Sequence, residues 1–108
     1  MYQVNITDSA STDLKNAALY IASVLNNKVA ANRLLDHSAV SFSSLSDSPM
    51  RNPLVRDSFL AANGIRIQVI DNYLAFYIVR EELKSVTILR FLHARRDWIS
   101  ILKDDSNR

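Results

Sequence analysis

Three apolar runs in close succession, closed by a basic cluster, constrain this chain more than any other feature. Ile65 to Asp71 leads into Tyr73-Leu74-Ala75-Phe76-Tyr77-Ile78-Val79-Arg80 and then into Ser85-Val86-Thr87-Ile88-Leu89-Arg90-Phe91-Leu92. His93-Ala94-Arg95-Arg96-Asp97-Trp98 follows directly. Short runs rich in β-branched and aromatic residues, separated by polar breaks, read as strands, so this segment predicts an antiparallel meander. Asp71-Asn72 and Glu81-Glu82-Leu83-Lys84 are its two connections. Tyr73 to Val79 is apolar at every position, which predicts a central strand covered on both faces. The basic, aromatic, histidine-bearing end then falls at one edge of the domain, as its expected working edge.

The upstream half supplies what packs on that sheet. Tyr2, Val4 and Ile6 alternate and predict a first strand. Thr7-Asp8-Ser9 offers N-cap side chains for a helix whose stripe, Ala10, Leu14, Ala17, Ile21 and Leu25, repeats at helical spacing. Asn26-Asn27 breaks the pattern. A second amphipathic segment opens at Val29 or Ala30, with Ala31, Leu34, Leu35, Ser38, Phe42 and Leu45 on one face. So short a break predicts an antiparallel helix hairpin. Pro49 closes it, because proline lacks a backbone donor and restricts the residue before it. Pro49 to Gly64 reads as an irregular connection, with a short strand or turn around Val55 to Leu60. Gly64, the only glycine, sits where a turn needs positive φ. Trp98, Ile101 and Leu102 predict a short final helix, and Asp104 to Arg108 a frayed tail. The expected fold is α+β: an N-terminal strand, then a helix hairpin packed on one face of an antiparallel meander, then a terminal helix.

With 108 residues the chain is expected to form a single domain, residues 1–108, with a core that needs no covalent staples. It contains no cysteine, which excludes disulfides and thiolate metal sites. Two distant histidines give no metal-ligand spacing, and one glycine gives no phosphate-cradling loop, so neither metal nor cofactor is expected. No apolar run approaches the roughly 18 residues of a membrane helix, and the N-terminus lacks the form of a secretion signal. A cytoplasmic protein without a membrane partner is expected. Nine arginines against four lysines, with Arg80, Arg90, Arg95 and Arg96 crowding the last third, favour a local patch able to grip phosphate or carboxylate. The net charge of +2 is too small to demand a nucleic-acid partner.

Taken in order, Pro49-Met50-Arg51, Gly64-Ile65-Arg66, Asn72-Tyr73-Leu74-Ala75-Phe76-Tyr77 and Leu92-His93-Ala94-Arg95-Arg96-Asp97 resemble the RelE/ParE superfamily of bacterial toxins. The resemblance covers almost the whole chain. It implies the toxin half of a type II toxin–antitoxin module, growth-inhibitory when free and held inactive by an antitoxin protein wrapped around it. Two actions occur in the superfamily. RelE-like members cleave mRNA in the ribosome; ParE-like members poison DNA gyrase by binding.

RNA cleavage through the 2′-hydroxyl needs a proton acceptor, a donor to the leaving oxygen and cations for the phosphate. On the RelE-like reading His93, Arg95, Arg96 and Arg66 are the catalytic candidates, His93 because an imidazole changes charge near neutral pH. Trp98 or Tyr77 could stack a base. The RelE-like nucleases resemble one another in an arginine directly after the motif tyrosine. Here Leu74 stands in that place, and the lysines are few and scattered. Both departures favour the ParE-like reading, with Arg95, Arg96 and Trp98 as target-binding residues. An inactive member that only binds antitoxin is a third alternative.

Each candidate also has a plainer role. His93 can satisfy a backbone group, Arg66 and Arg90 can be ion-paired, Asp97 can cap the last helix, and Trp98 can anchor that helix to the sheet. His37 reads as structural or exposed.

Overall fold

The computed structural model describes residues 1–107. Strand β1 (Gln3–Ile6) feeds helix α1 (Asp8–Ser23), which pairs with α2 (Lys28–Ser44). A long connection holding the short helix α3 (Ser58–Ala62) leads to strands β2 (Arg66–Ile70), β3 (Tyr73–Arg80) and β4 (Ser85–His93), then to helix α4 (Trp98–Ser106).

Local chemistry sets these boundaries. The Thr7 hydroxyl accepts from the Ala10 amide, Asn27 from Ala30 and Asp57 from Leu60, so each of the first three helices starts on an oxygen-bearing cap. The first helix stops at Ser23, before the end of its apolar stripe, because Asn26 turns the chain through φ 51°. Asn27 then starts α2 at Lys28, a residue or two before the apolar face begins. Gly64 adopts φ 79°, as its position before the meander predicts.

The strand order is β1-β4-β3-β2, with β2, β3 and β4 antiparallel and β1 parallel to β4. The sheet is therefore mixed, and the first strand lies beside the last. The α1–α2 hairpin packs on one face, over Ala75, Tyr77, Phe91, Ile88 and Val86. The other face carries Phe76, Leu92, Ile65 and Leu60, closed by Leu102 and Trp98 of α4. Both faces of β3 are thus covered, as its unbroken apolar sequence requires, and helices do not stay on one side of the sheet. Between Phe76 and Tyr77 the register to β4 shifts by one residue at Leu89, which keeps Phe91, Ile88 and Val86 on the hairpin face.

Two further expectations are corrected. The segment expected as a strand or turn near Val55 to Leu60 forms only an isolated bridge, Leu54 to Arg66, and then the helical turn of α3. Asp57 is the reason, because its carboxylate caps that turn and also meets Lys103 at 3.2 Å. The bond to the Leu60 amide, with Lys103 behind it, holds the Asp57 carboxyl below its ordinary range. The tail expected to fray from Asp104 is helical through Ser106, whose hydroxyl donates to the Leu102 carbonyl, while Asp105 meets Arg90. Arg108 lies outside the described residues.

Tyr77 ties the irregular connection to the sheet. Its hydroxyl donates to the Pro49 carbonyl at 2.7 Å and accepts from the Asn52 amide at 3.2 Å, in a buried setting. Tyr77→Phe is expected to cost about 1–2 kcal/mol, the usual result of stranding a buried polar partner. Urea denaturation checks this; an unmoved midpoint would mean that the bond contributes nothing net.

Candidate functional site

The end of β4 is where chemistry gathers. His93 lies opposite Tyr73 across the β3–β4 ladder, so both side chains project from the same face as α1. The His93 ring meets the Tyr73 ring edge-on at 5.2 Å, Tyr73 stacks on Phe91 at 5.1 Å, and Phe91 meets Phe42 at 6.4 Å. This file of rings anchors a half-exposed histidine to the core. The backbone then turns sharply. The Ala94 amide donates to the Asn72 carbonyl at 2.9 Å and the Arg96 amide to the His93 carbonyl at 3.0 Å, which fixes the turn that presents both arginines.

The Arg95 amide donates to Nδ1 of His93 at 3.1 Å. A neutral His93 so bonded carries its proton on Nε2, which leaves a ring donor rather than a ring acceptor. Burial, and secondarily the neighbouring Tyr20, pushes the Tyr73 phenol above its ordinary pKa, so it too is a neutral donor at physiological pH.

A cleft of about 490 Å³ opens here between α1 and the end of β4. Asn16 and Tyr20 form one wall, Tyr73 and His93 the floor, and Arg95 and Arg96 the rim. Asp13 also borders it, but its carboxylate is occupied. Nε and Nη2 of Arg90 reach its two oxygens at 2.7 and 3.0 Å, and it accepts the Phe91 amide at 3.1 Å. Nη1 of Arg90 meets Asp105 at 3.0 Å, so one guanidinium joins α1, β4 and α4. The bond to Asp13 above all raises the Arg90 pKa beyond its already high ordinary value. Asp97 is spent as well, accepting from the amide and hydroxyl of Ser100 at the start of α4. Arg95 and Arg96 are exposed, and neither has an ion-pair partner among the described residues. The rim is therefore locally positive despite the modest net charge.

Only some of the sequence-predicted residues come together. His93, Arg95 and Arg96 share the cleft. Arg66 does not: it pairs with Tyr77 on the far side of β3, and its guanidinium donates to the Asn52 carbonyl instead of to an acid. Trp98 packs on Phe76 at 5.1 Å on the opposite sheet face, an anchor for α4. Tyr77 is fully buried and unavailable to a base. Leu74 points into the α4-side core with Trp98 and Ile101, away from His93. His37 is an exposed residue whose Nδ1 meets Asp71 at 2.8 Å. Sequence reading did not single out Asn16 and Tyr20. Their signal was spacing, since Asp13, Asn16 and Tyr20 follow one another at three and four residues along the edge of the α1 stripe.

A second hollow, about 350 Å³ between the start of α1 and α4, is lined by Thr7, Leu89, Leu102 and Asp105 and presents no free cation. Among the described residues no group of three histidine or acidic side chains is placed to hold a metal ion, and no helix is long and apolar enough to cross a membrane.

The architecture is a mixed sheet between a helix hairpin and a short C-terminal helix, with a basic cleft at its edge. The chain belongs to the family described as the ParE toxin of the type II toxin–antitoxin system parDE, whose sequence profile matches residues 4–98. The expected RelE/ParE membership is borne out, and with it the role of toxin in a type II module. The fold is similar to that of a chromosomal ParDE system from P. aeruginosa, with 18% identity, TM-score 0.68, and 86% of this chain and 96% of that one covered. It is also similar to a chain of the RelBE2 toxin–antitoxin complex from Mycobacterium tuberculosis, with 24% identity, TM-score 0.58 and coverage of 85% and 90%. For the isolated E. coli RelE toxin the values are 13% identity and TM-score 0.56, with both chains covered completely. No curated protein matches the sequence significantly.

Proposed function

We propose that this toxin is ParE-like: it acts in the cytoplasm by binding DNA gyrase and is silenced by a cognate antitoxin. The observation that carries the reading is the match to the ParE profile over residues 4–98. Leu74 adds to it. The position where nucleases of the superfamily are expected to carry an arginine is here a half-buried leucine packed beside Trp98 and Ile101 against the α4-side cluster. Leucine gives that place an apolar contact and takes from it the charge and the hydrogen-bond donors that phosphate chemistry needs.

The exposed apolar surface supports a seat for the antitoxin on the hairpin. The ParDE and RelBE relatives are toxin–antitoxin systems. Here Val24, Val29 and Val40 are 67%, 69% and 71% exposed along the hairpin, beside Leu19 and Leu25. Such residues suit the apolar face of an amphipathic helix, and the edge of β2 beyond the Leu54 bridge suits an extended segment.

The competing RelE-like reading draws on His93, Arg95 and Arg96 sharing one cleft. It lacks a paired proton acceptor, since His93 Nδ1 is engaged and Asp13 is bound to Arg90. The test is induction of the toxin without antitoxin, followed by mapping of new RNA 5′ ends, alongside a supercoiling assay with purified gyrase. Lost supercoiling without new ends is expected. In-frame cuts inside translated mRNAs, with gyrase unaffected, would overturn the proposal in favour of the nuclease.

A further inference from the structure

We infer that the cleft between α1 and the end of β4 binds one phosphorylated nucleotide of a single-stranded nucleic acid, with the base against Tyr20 and Tyr73 and the phosphate on Arg95 and Arg96. The choice of DNA as its source rests on the gyrase reading above; the nucleotide chemistry does not.

Size comes first. About 490 Å³ is within the range of pockets that enclose small ligands, and it exceeds what a lone anion needs. The charge is of the right sign and is uncommitted. Asp97, on the turn, caps α4, and Asp13, on the wall, is neutralised by Arg90, so neither repels an incoming phosphate. Two exposed arginines on a backbone-pinned turn present donor forks matched to phosphate oxygens. His93, whose Nδ1 accepts the Arg95 amide, adds an Nε2 donor to the side chains that line the cleft.

The aromatic part is equally specific. Tyr20 is 52% exposed on α1, and it lines the cleft together with Tyr73 of β3. Tyr73 is held in place by its stack on Phe91, so it offers a rigid surface. A basic rim over aromatic walls is how single strands are held without base-pair readout. Asn16 supplies an amide that can both donate to and accept from a base edge. An acidic peptide would satisfy the arginines but would leave the rings and this amide without planar partners.

The test uses the full chain and fluorescence anisotropy at low salt, with labelled ten-nucleotide oligothymidylate and oligouridylate. Oligothymidylate is expected to bind. Arg95→Gln with Arg96→Gln should weaken it at least about ten-fold, and Tyr20→Ala by roughly ten-fold, the usual weight of one stacked base. A charge-matched control, Lys28→Gln with Arg56→Gln, should weaken it less than about three-fold. No binding by folded protein would overturn the inference. So would equal loss in the control, or displacement by a Glu-rich peptide or inorganic phosphate at concentrations no higher than those of nucleotide. Tighter oligouridylate binding keeps the site but moves its source to RNA, against the gyrase reading. Gyrase inhibition that survives with no oligonucleotide binding overturns this inference alone.

Discussion

Alanine at His93, Arg95 and Arg96 together is expected to abolish growth arrest while leaving the protein folded. All three side chains meet at one cleft, and the two guanidiniums are the uncommitted cations on its rim. Truncating a charged contact at an interface costs about 2–5 kcal/mol, so losing two should lower affinity for the target by on the order of a thousand-fold or more. Little in the fold depends on them. The turn is held by backbone bonds to Asn72 and His93, which alanine preserves, and the Phe91–Tyr73 stack remains. Induction at matched protein level, with circular dichroism of the purified variant, checks both halves. Wild-type toxicity in the folded triple variant would remove the cleft from consideration, whichever target proves right. Arg95→Lys with Arg96→Lys separates charge from geometry: retained arrest would mean that a point charge suffices, and lost arrest would mean that the planar fork is required.

The largest effect on stability is expected at Arg90. It is a poorly exposed cation, 17% accessible, facing an Asp13 carboxylate of 13%, and it ties three elements together through Asp13 and Asp105. Arg90→Met leaves Asp13 charged in a half-buried setting with only the Phe91 amide as compensation. Breaking one side of a buried pair costs about 3–5 kcal/mol, and the partial exposure here places the loss nearer 2–3 kcal/mol. Adding Asp13→Asn should restore at least about half of it, because the amide oxygen can still accept from Phe91 while the stranded charge is gone. Urea denaturation of the two variants is the measurement. A loss below about 0.5 kcal/mol for Arg90→Met would show the network to be neutral, as exposed pairs commonly are.

Most of the fold was legible because its signals are local. The period of Ala10, Leu14, Ala17 and Ile21, the break at Asn26-Asn27 and the unbroken apolar run of Tyr73 to Val79 each fix an element without reference to the rest. What was not legible depended on long-range contacts. Nothing in Gln3 to Ile6 says that it pairs in parallel with Ser85 to Ile88. The short α3 forms because Asp57 caps it and Lys103, far along the chain, meets that cap. The tail is helical because Asp105 finds Arg90. The same distinction governs the cleft. Its β4 half stood out as a basic run, whereas Asn16 and Tyr20 became part of it only once α1 lay across the sheet.

The parallel contact between β1 and β4 also bears on synthesis. Residues 3–6 must wait for residues 85–88, and β4 lies between β1 and β3, so β1 cannot join the sheet until β4 has been made. Contacts this distant in sequence close late and slowly. At roughly 5–20 residues per second the nascent chain spends seconds as an unfinished hairpin with its apolar stripe open. During that interval Ala10, Leu14, Ala17 and Ile21 have no sheet to pack against. A chain released short of β4 lacks the strand that joins β1 to β3, and with it His93, Arg95 and Arg96.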